Sequence, residues 1–229
     1  MTQLQNYDLV TPGELLAESG TGLPGTYGEG ERVFSKYFGM VQISDRGIGV
    51  TPLTGVYTPH EGDDVIGRVM EVSSKYWVVD INAPYHTRLN VKDLNFRVEF
   101  DELDKIMDIG DLLYARVFRI YGDRAADLSM RGTRYGKLPS NMIVNIDPVK
   151  LPRLIGKEGA MVNLIKEETK CDILIGRNGI VWVDGGAGDK ATALSAIKLI
   201  DEEFHSPNLM EKVKELFEHV RGTTGQEKV

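Results

Sequence analysis

Two glycines, Gly156 and Gly159, break the segment LPRLIGKEGAMVNLIKEETK between an apolar lead-in and a helical continuation. Beyond the break Met161, Leu164 and Ile165 recur at i, i+3 and i+4, the spacing of one buried helix face. Upstream, MIVNID reads as a strand; downstream, CDILIGRNGIVWVDG reads as a hairpin turning at Asn178-Gly179. Ala193, Ile197, Ile200 and Phe204 stripe a further helix. After Ser206-Pro207, Leu209, Val213, Leu216 and Val220 stripe a last one, and the tail GTTGQEKV is expected to fray. The order is therefore strand, helix, GxxG, helix, strand, strand, helix, with one helix more. Two residues without Cβ between helices let a sugar–phosphate backbone approach the main chain, and the next helix offers it unpaired N–H groups and the positive end of its dipole.

Ahead of this module the pattern changes to short strands. Residues 1–58 are rich in glycine and turns, as in PGELLAESGTGLPGTYGEG, and predict a small β module. In YWVVDI, Trp77, Val79 and Ile81 share one face of a strand and Tyr76, Val78 and Asp80 the other. An internal echo links Gly62-Asp63 and Arg68-Val69 with Gly110-Asp111 and Arg116-Val117, and is read as two strands entered through the same type of turn. Residues 99–111 hold six acids and one lysine, the mark of a solvated loop with a helical turn. About five strands over residues 59–135 fit an OB-type barrel.

Charge narrows the functions. The chain has 27 basic and 34 acidic side chains, a net charge of −7, so nucleic acid would have to be held by local clusters and not by bulk charge. One such cluster is Arg116, Arg119, Arg124, Arg131, Arg134 and Lys137, against Asp123 and Asp127; another is Lys150, Arg153 and Lys157. The single cysteine, Cys171, excludes a disulfide framework and a four-cysteine zinc site, and His60, His86, His205 and His219 lack ligand spacing. No metal and no cofactor are expected. No apolar run reaches membrane-spanning length and the N-terminus lacks the layout of a signal peptide, so a soluble cytoplasmic protein is expected. Neither Asp63-Asp64 nor the acidic loop has a catalytic spacing, which predicts no catalytic residue.

GDDVIGRVMEVSSKYWVVDI, GDLLYARVFRI and LSMRG resemble an S1 domain, and PRLIGKEGAMVNLIKEET with GRNGIVWVDG resembles a KH domain. With VTPGELL, GTYGEG and TPLTGVYTPHEGDDVIGRV, the order is similar over about residues 8–220 to the archaeal exosome RNA-binding cap subunit. The resemblance implies an α+β multidomain chain: a β-rich N-terminal domain (1–58) that docks on a ring, an S1 OB-type barrel (59–135), and a type I KH domain with an extra C-terminal helix (136–229). It further implies a non-catalytic role in a trimeric cap, made of copies of the chain, the zinc-ribbon cap subunit or both. The cap captures single-stranded RNA and guides its 3′ end into a hexameric phosphorolytic ribonuclease ring, with a preference for A-rich tails.

The KH loop Gly156, Lys157, Glu158 and Gly159, with Lys150 and Arg153, is one expected RNA contact, although Glu158 offsets the charge of Lys157. On the barrel, the family's usual aromatic positions fall on Lys75 and Val78, and its histidine position near Asn90. Phosphate contacts from Arg68, Lys75, Arg88, Arg119 and Arg124, with Tyr76 touching a base, are therefore expected to matter more than stacking. Two rival functions stay open: a stand-alone or translation-associated S1–KH RNA-binding protein, and an assembly scaffold without RNA contact.

Overall fold

The structure, a computed structural model, describes residues 4–6, 8–96, 103–122, 124–206 and 208–224. Contacts divide the chain into two units, Met1–Gly55 and Val56–Val229. In the first, glycine and proline cut the chain into β1 (Leu9–Val10), β2 (Leu15–Ala17), β3 (Thr26–Glu29), β4 (Arg32–Ser35), β5 (Gly39–Ser44) and β6 (Gly47–Pro52). They form two three-stranded antiparallel sheets, β1-β5-β6 and β2-β4-β3. Val10, Leu16, Val33, Val41 and Val50 make the small core, while Leu9, Tyr37 and Phe38 remain exposed.

The second unit begins with β7 (Asp64–Val72), β8 (Tyr76–Asp80) and β9 (His86–Asn90). The short helix α1 (Leu103–Ile106) precedes β10 (Leu112–Tyr121), β11 (Ala125–Ser129) and β12 (Gly136–Leu138). The sheet order β11-β9-β8-β7-β10-β12 is closed by pairing of β10 with β11, so β7 to β11 form a five-stranded barrel. Trp77, Val79 and Ile81 point into it as the alternation predicts, and the Trp77 indole N–H donates to the Met107 carbonyl at 3.0 Å. The helical turn expected in the acidic loop is α1; residues 97–102 of that region lie outside the described residues.

The 48-residue echo has a geometric cause. Gly62 N–H donates to Val117 O and Val117 N–H to Asp63 O, both at 2.8 Å. In the same way Gly110 N–H donates to Val69 O at 2.8 Å and Val69 N–H to Asp111 O at 2.9 Å. Each turn is closed by its aspartate, Asp63 accepting from His60 N–H and Asp111 from Asp108 N–H. Gly62 and Gly110 both sit at φ 93°, where a Cβ is strained. Each strand carries a bulge at the same offset, at Met70 in β7 and at Phe118 in β10. The repeat is a local two-fold relation between neighbouring antiparallel strands.

The rest of the unit runs β13 (Met142–Asn145), α2 (Leu151–Ile155), α3 (Ala160–Thr169), β14 (Asp172–Ile175), β15 (Ile180–Asp184), α4 (Ala187–Glu202) and α5 (Leu209–Thr224). The sheet order β13-β15-β14, all antiparallel, with α2, α3 and α4 on its apolar face, is the type I KH arrangement. α5 buries Leu209, Val213 and Phe217 in the same core and runs on to Thr224, three residues past the point where fraying was expected. Residues 225–229 lie outside the described residues.

Asn178 does more than turn a hairpin. β8 stops pairing with β7 at Arg68, leaving the polar groups of Ile66 on that edge without a strand. The fully buried Asn178 carboxamide takes its place. Its Oδ1 accepts from Ile66 N–H at 3.3 Å, and its Nδ2 donates to Ile66 O at 2.7 Å and to Ile81 O at 2.9 Å. Arg177 N–H adds a bond to Asp64 O at 2.8 Å, and Trp182 packs against the barrel core. One hairpin thus extends the barrel edge and welds the two domains into one unit.

Candidate nucleic-acid interface

The loop between α2 and α3 exists because its glycines cannot be replaced without cost. A Cβ on Gly156, at φ 74°, would lie 2.7 Å from Met161 N. Glu158 also takes a left-handed conformation, φ 54°, and Gly159 follows at φ 82°. Lys157 and Glu158 are exposed at the tip, and α3 starts directly after Gly159 with no side-chain cap and no acid in its first turn. Ala160 N–H donates to Lys157 O, and no first-turn carboxylate repels an anion from this helix start.

Lys150 departs from the expectation. Its ammonium lies 2.9 Å from both Asp201 Oδ1 and Asp201 O and over the Phe204 ring, with the side chain only 16% exposed. It ties the start of α2 to the end of α4 and is withdrawn from the loop. Arg153 is half-buried on α2.

On the barrel, cross-strand register builds a second array. Arg119 in β10 is opposite Asp127 in β11, which is opposite Arg88 in β9, which is opposite Val78 in β8. The Asp127 carboxylate is buried among them, 3.6 Å from Arg88 Nε and accepting the Tyr121 hydroxyl at 2.8 Å. The Arg88 guanidinium also lies 6.0 Å from the Tyr76 ring. Arg124, at φ 59° in the β10–β11 turn, accepts His86 N–H on its carbonyl and so sits at one end of the face, while Lys75 sits in the turn at the other. Arg68 leans away, donating to Gly110 O at 3.3 Å. Tyr76, Arg88 and Arg119 are thus brought onto the neighbouring strands β8, β9 and β10, the last two bridged by β11, with Arg124 in the turn beside them. The KH loop belongs to separate elements.

The sequence cluster from Arg116 to Lys137 proves to be mostly committed. Arg116 and Arg134 both pair with Asp64, flank the Tyr135 ring, and leave Tyr135 OH donating to Asp64 Oδ1 at 2.7 Å. Burial pushes the Asp64 carboxyl up, but the hydrogen bonds from Tyr135 and Arg116 and the two guanidinium charges outweigh it and hold it below the usual range. Arg131 pairs with Asp93 and Lys137 with Asp111. Arg119 and Arg124 have no carboxylate within 4.0 Å among the described residues, and the same holds for Lys75 and Lys157. Composition could not separate these cations from the paired ones; register and turn geometry do.

Family models match both domains: RRP4, S1 domain, over residues 56–119, and a KH domain over residues 142–189. The exosome complex component Rrp4 of Picrophilus torridus is 37% identical over 215 residues, covering 93% of this chain and 94% of that protein. The chain belongs to the Rrp4 family of archaeal exosome components. Rrp4 of Methanobrevibacter smithii is 40% identical over 218 residues, covering 93% of this chain and 72% of that protein. A crystal structure assigned to an exosome complex RNA-binding protein superposes with a TM-score of 0.69 at 33% identity, covering 74% of this chain and 99% of that one. Among the described residues no helix is long and apolar enough to cross a membrane.

Proposed function

We propose that this Rrp4-family chain is a non-catalytic, cytoplasmic cap component of the exosome that captures single-stranded RNA and guides its 3′ end into a phosphorolytic ribonuclease ring. One observation carries the reading. In a chain of net charge −7, cations without a carboxylate partner among the described residues sit on the S1 face (Lys75, Arg119, Arg124) and at the KH loop tip (Lys157), and Asn178 fixes the two domains to each other. Two weak, rigidly spaced phosphate contacts cooperate on one strand, since the second binds at a high effective concentration. Tyr76 and Arg88 add a site for a base edge or ring, Arg68 flanks the face, and Arg153 supports the KH loop.

The reading without catalysis is supported by how the acids are used. Asp63 accepts the Tyr57 hydroxyl and His60 N–H, Asp64 holds two arginines, and Asp111 holds Lys137. These carboxylates build turns and ion pairs. The N-terminal unit, with Leu9, Tyr37 and Phe38 exposed, is assigned to docking on the ring in a trimeric cap with further copies or the zinc-ribbon subunit. A-rich RNA is the favoured substrate.

The test is phosphate-dependent degradation of 5′-labelled oligo(A) by a reconstituted ring with and without this chain. A faster rate and tighter RNA binding are expected with the chain present, and no degradation by the chain alone. RNA binding with no association to the ring moves the function to a stand-alone S1–KH protein; association without any change in RNA binding leaves an assembly scaffold.

A further inference from the structure

We infer that Phe118 is a nucleobase-stacking platform, a contact on β10 away from Tyr76 and Val78 of β8. The bulge in β10 places Phe118 opposite no partner residue, so Phe118 and Arg119 both face outward although they are consecutive. Phe118 is 50% exposed, and the Arg119 guanidinium lies 5.6 Å from its ring centroid. An aromatic face beside a cation is the surface on which an unpaired base stacks while its phosphate is neutralised. Glu61, the nearby acid, is tied to the strand by accepting Ile120 N–H at 3.0 Å.

Two further observations favour RNA over a protein partner. Arg119 shares its cross-strand row with Arg88, so the ring beside it adjoins the array proposed to hold phosphate. A protein surface covering Phe118 would also have to desolvate Arg119, which has no carboxylate partner among the described residues. The two-fold mate supplies a built-in comparison. The bulge in β7 exposes Met70 to 53%, but the next residue is Glu71, which repels phosphate. Only one of the two related bulges is equipped for RNA.

The inference rests on the RNA-capture reading above and is tested on the full chain. Phe118→Trp and Met70→Trp are titrated with oligo(A) and with an abasic ribose-phosphate strand of equal length; the native Trp77 and Trp182 are buried and give a steady background. Oligo(A) should quench Phe118→Trp, the abasic strand should not, and neither should quench Met70→Trp. Phe118→Ala should weaken oligo(A) binding about tenfold while leaving abasic binding and the salt slope unchanged, since no charge is lost. Intact RNA binding with no quenching and no loss in Phe118→Ala overturns the platform and leaves RNA capture standing. A change confined to oligomeric state assigns the ring to a protein contact and overturns it as well. Absence of RNA binding by every form, with or without the ring, removes both readings.

Discussion

Replacing Asn178 tests the weld between the S1 and KH domains. Asn178→Ala leaves Ile66 N–H, Ile66 C=O and Ile81 C=O buried with no partner. Each such group costs about 1–3 kcal/mol. A water entering the vacated space recovers part of this, and the bond to Ile66 N–H is already long, so the net loss is about 2–4 kcal/mol. For a unit the size of Val56–Val229, that corresponds to a melting temperature lower by about 5–15 °C. Asn178→Asp is the sharper variant. It keeps the acceptor for Ile66 N–H but replaces Nδ2 and its two N–H donors with one oxygen that faces both the Ile66 and Ile81 carbonyls, so it should destabilise at least as much as alanine despite its near-identical shape. Urea unfolding followed by Trp182 emission, with Trp182→Phe to isolate the barrel's Trp77, reads domain docking directly. Aspartate tolerated like asparagine, or an alanine effect below about 0.5 kcal/mol, would refute the claim that the carboxamide replaces a missing strand.

Other consequences follow from the same geometry. Lys157→Ala combined with Arg153→Ala should weaken capture of single-stranded RNA and reduce the salt slope of binding by about one, the share of Lys157, with unchanged circular dichroism; unchanged affinity would remove the KH loop from the RNA path. Lys150→Ala should instead lower stability, with the RNA salt slope preserved, because its charge is spent on Asp201. Gly156→Ala should lower the melting temperature by several degrees more than Gly159→Ala, whose Cβ would meet only Asn163 Nδ2 at 3.5 Å although both positions have positive φ. The Asp64 carboxyl is held below its unfolded value, so its contribution is present above the unfolded pKa and is lost as pH falls through the lower folded one. Asp64→Asn should therefore be less stable at neutral pH and show a flatter acid limb below about pH 4 in urea midpoints.

Elements defined by short-range pattern were legible in the sequence. The alternation in YWVVDI put Trp77 inside, and the 3.6-residue stripes located α3, α4 and α5. The echo of Gly62-Asp63 in Gly110-Asp111 correctly announced two equivalent turns, because a turn's chemistry lies in consecutive residues. The residues proposed to bind RNA were legible only as a set of cations. Lys150 counted as a loop cation until Asp201, far along the chain, was seen to claim it, and Arg116 and Arg134 until Asp64 did. Phe118 carries no signal in the sequence, because a bulge depends on the pairing of two strands and leaves no mark in one of them.

Asn178-Gly179 shows the division best. The dipeptide by itself announced a turn between two strands, which the structure closes with Gly179 alone of the pair at positive φ, 82°. That the asparagine side chain completes an unfilled edge of another domain was decided by the tertiary structure. Local sequence selects backbone conformation one residue at a time, whereas the partner of a buried polar group is chosen by whichever distant chain leaves a donor or acceptor unpaired. Likewise the sequence determined that the charge of this protein is negative, its 27 cations outnumbered by 34 acids. Which of those cations lack a carboxylate partner among the described residues was decided only by how the fold assigned the acids.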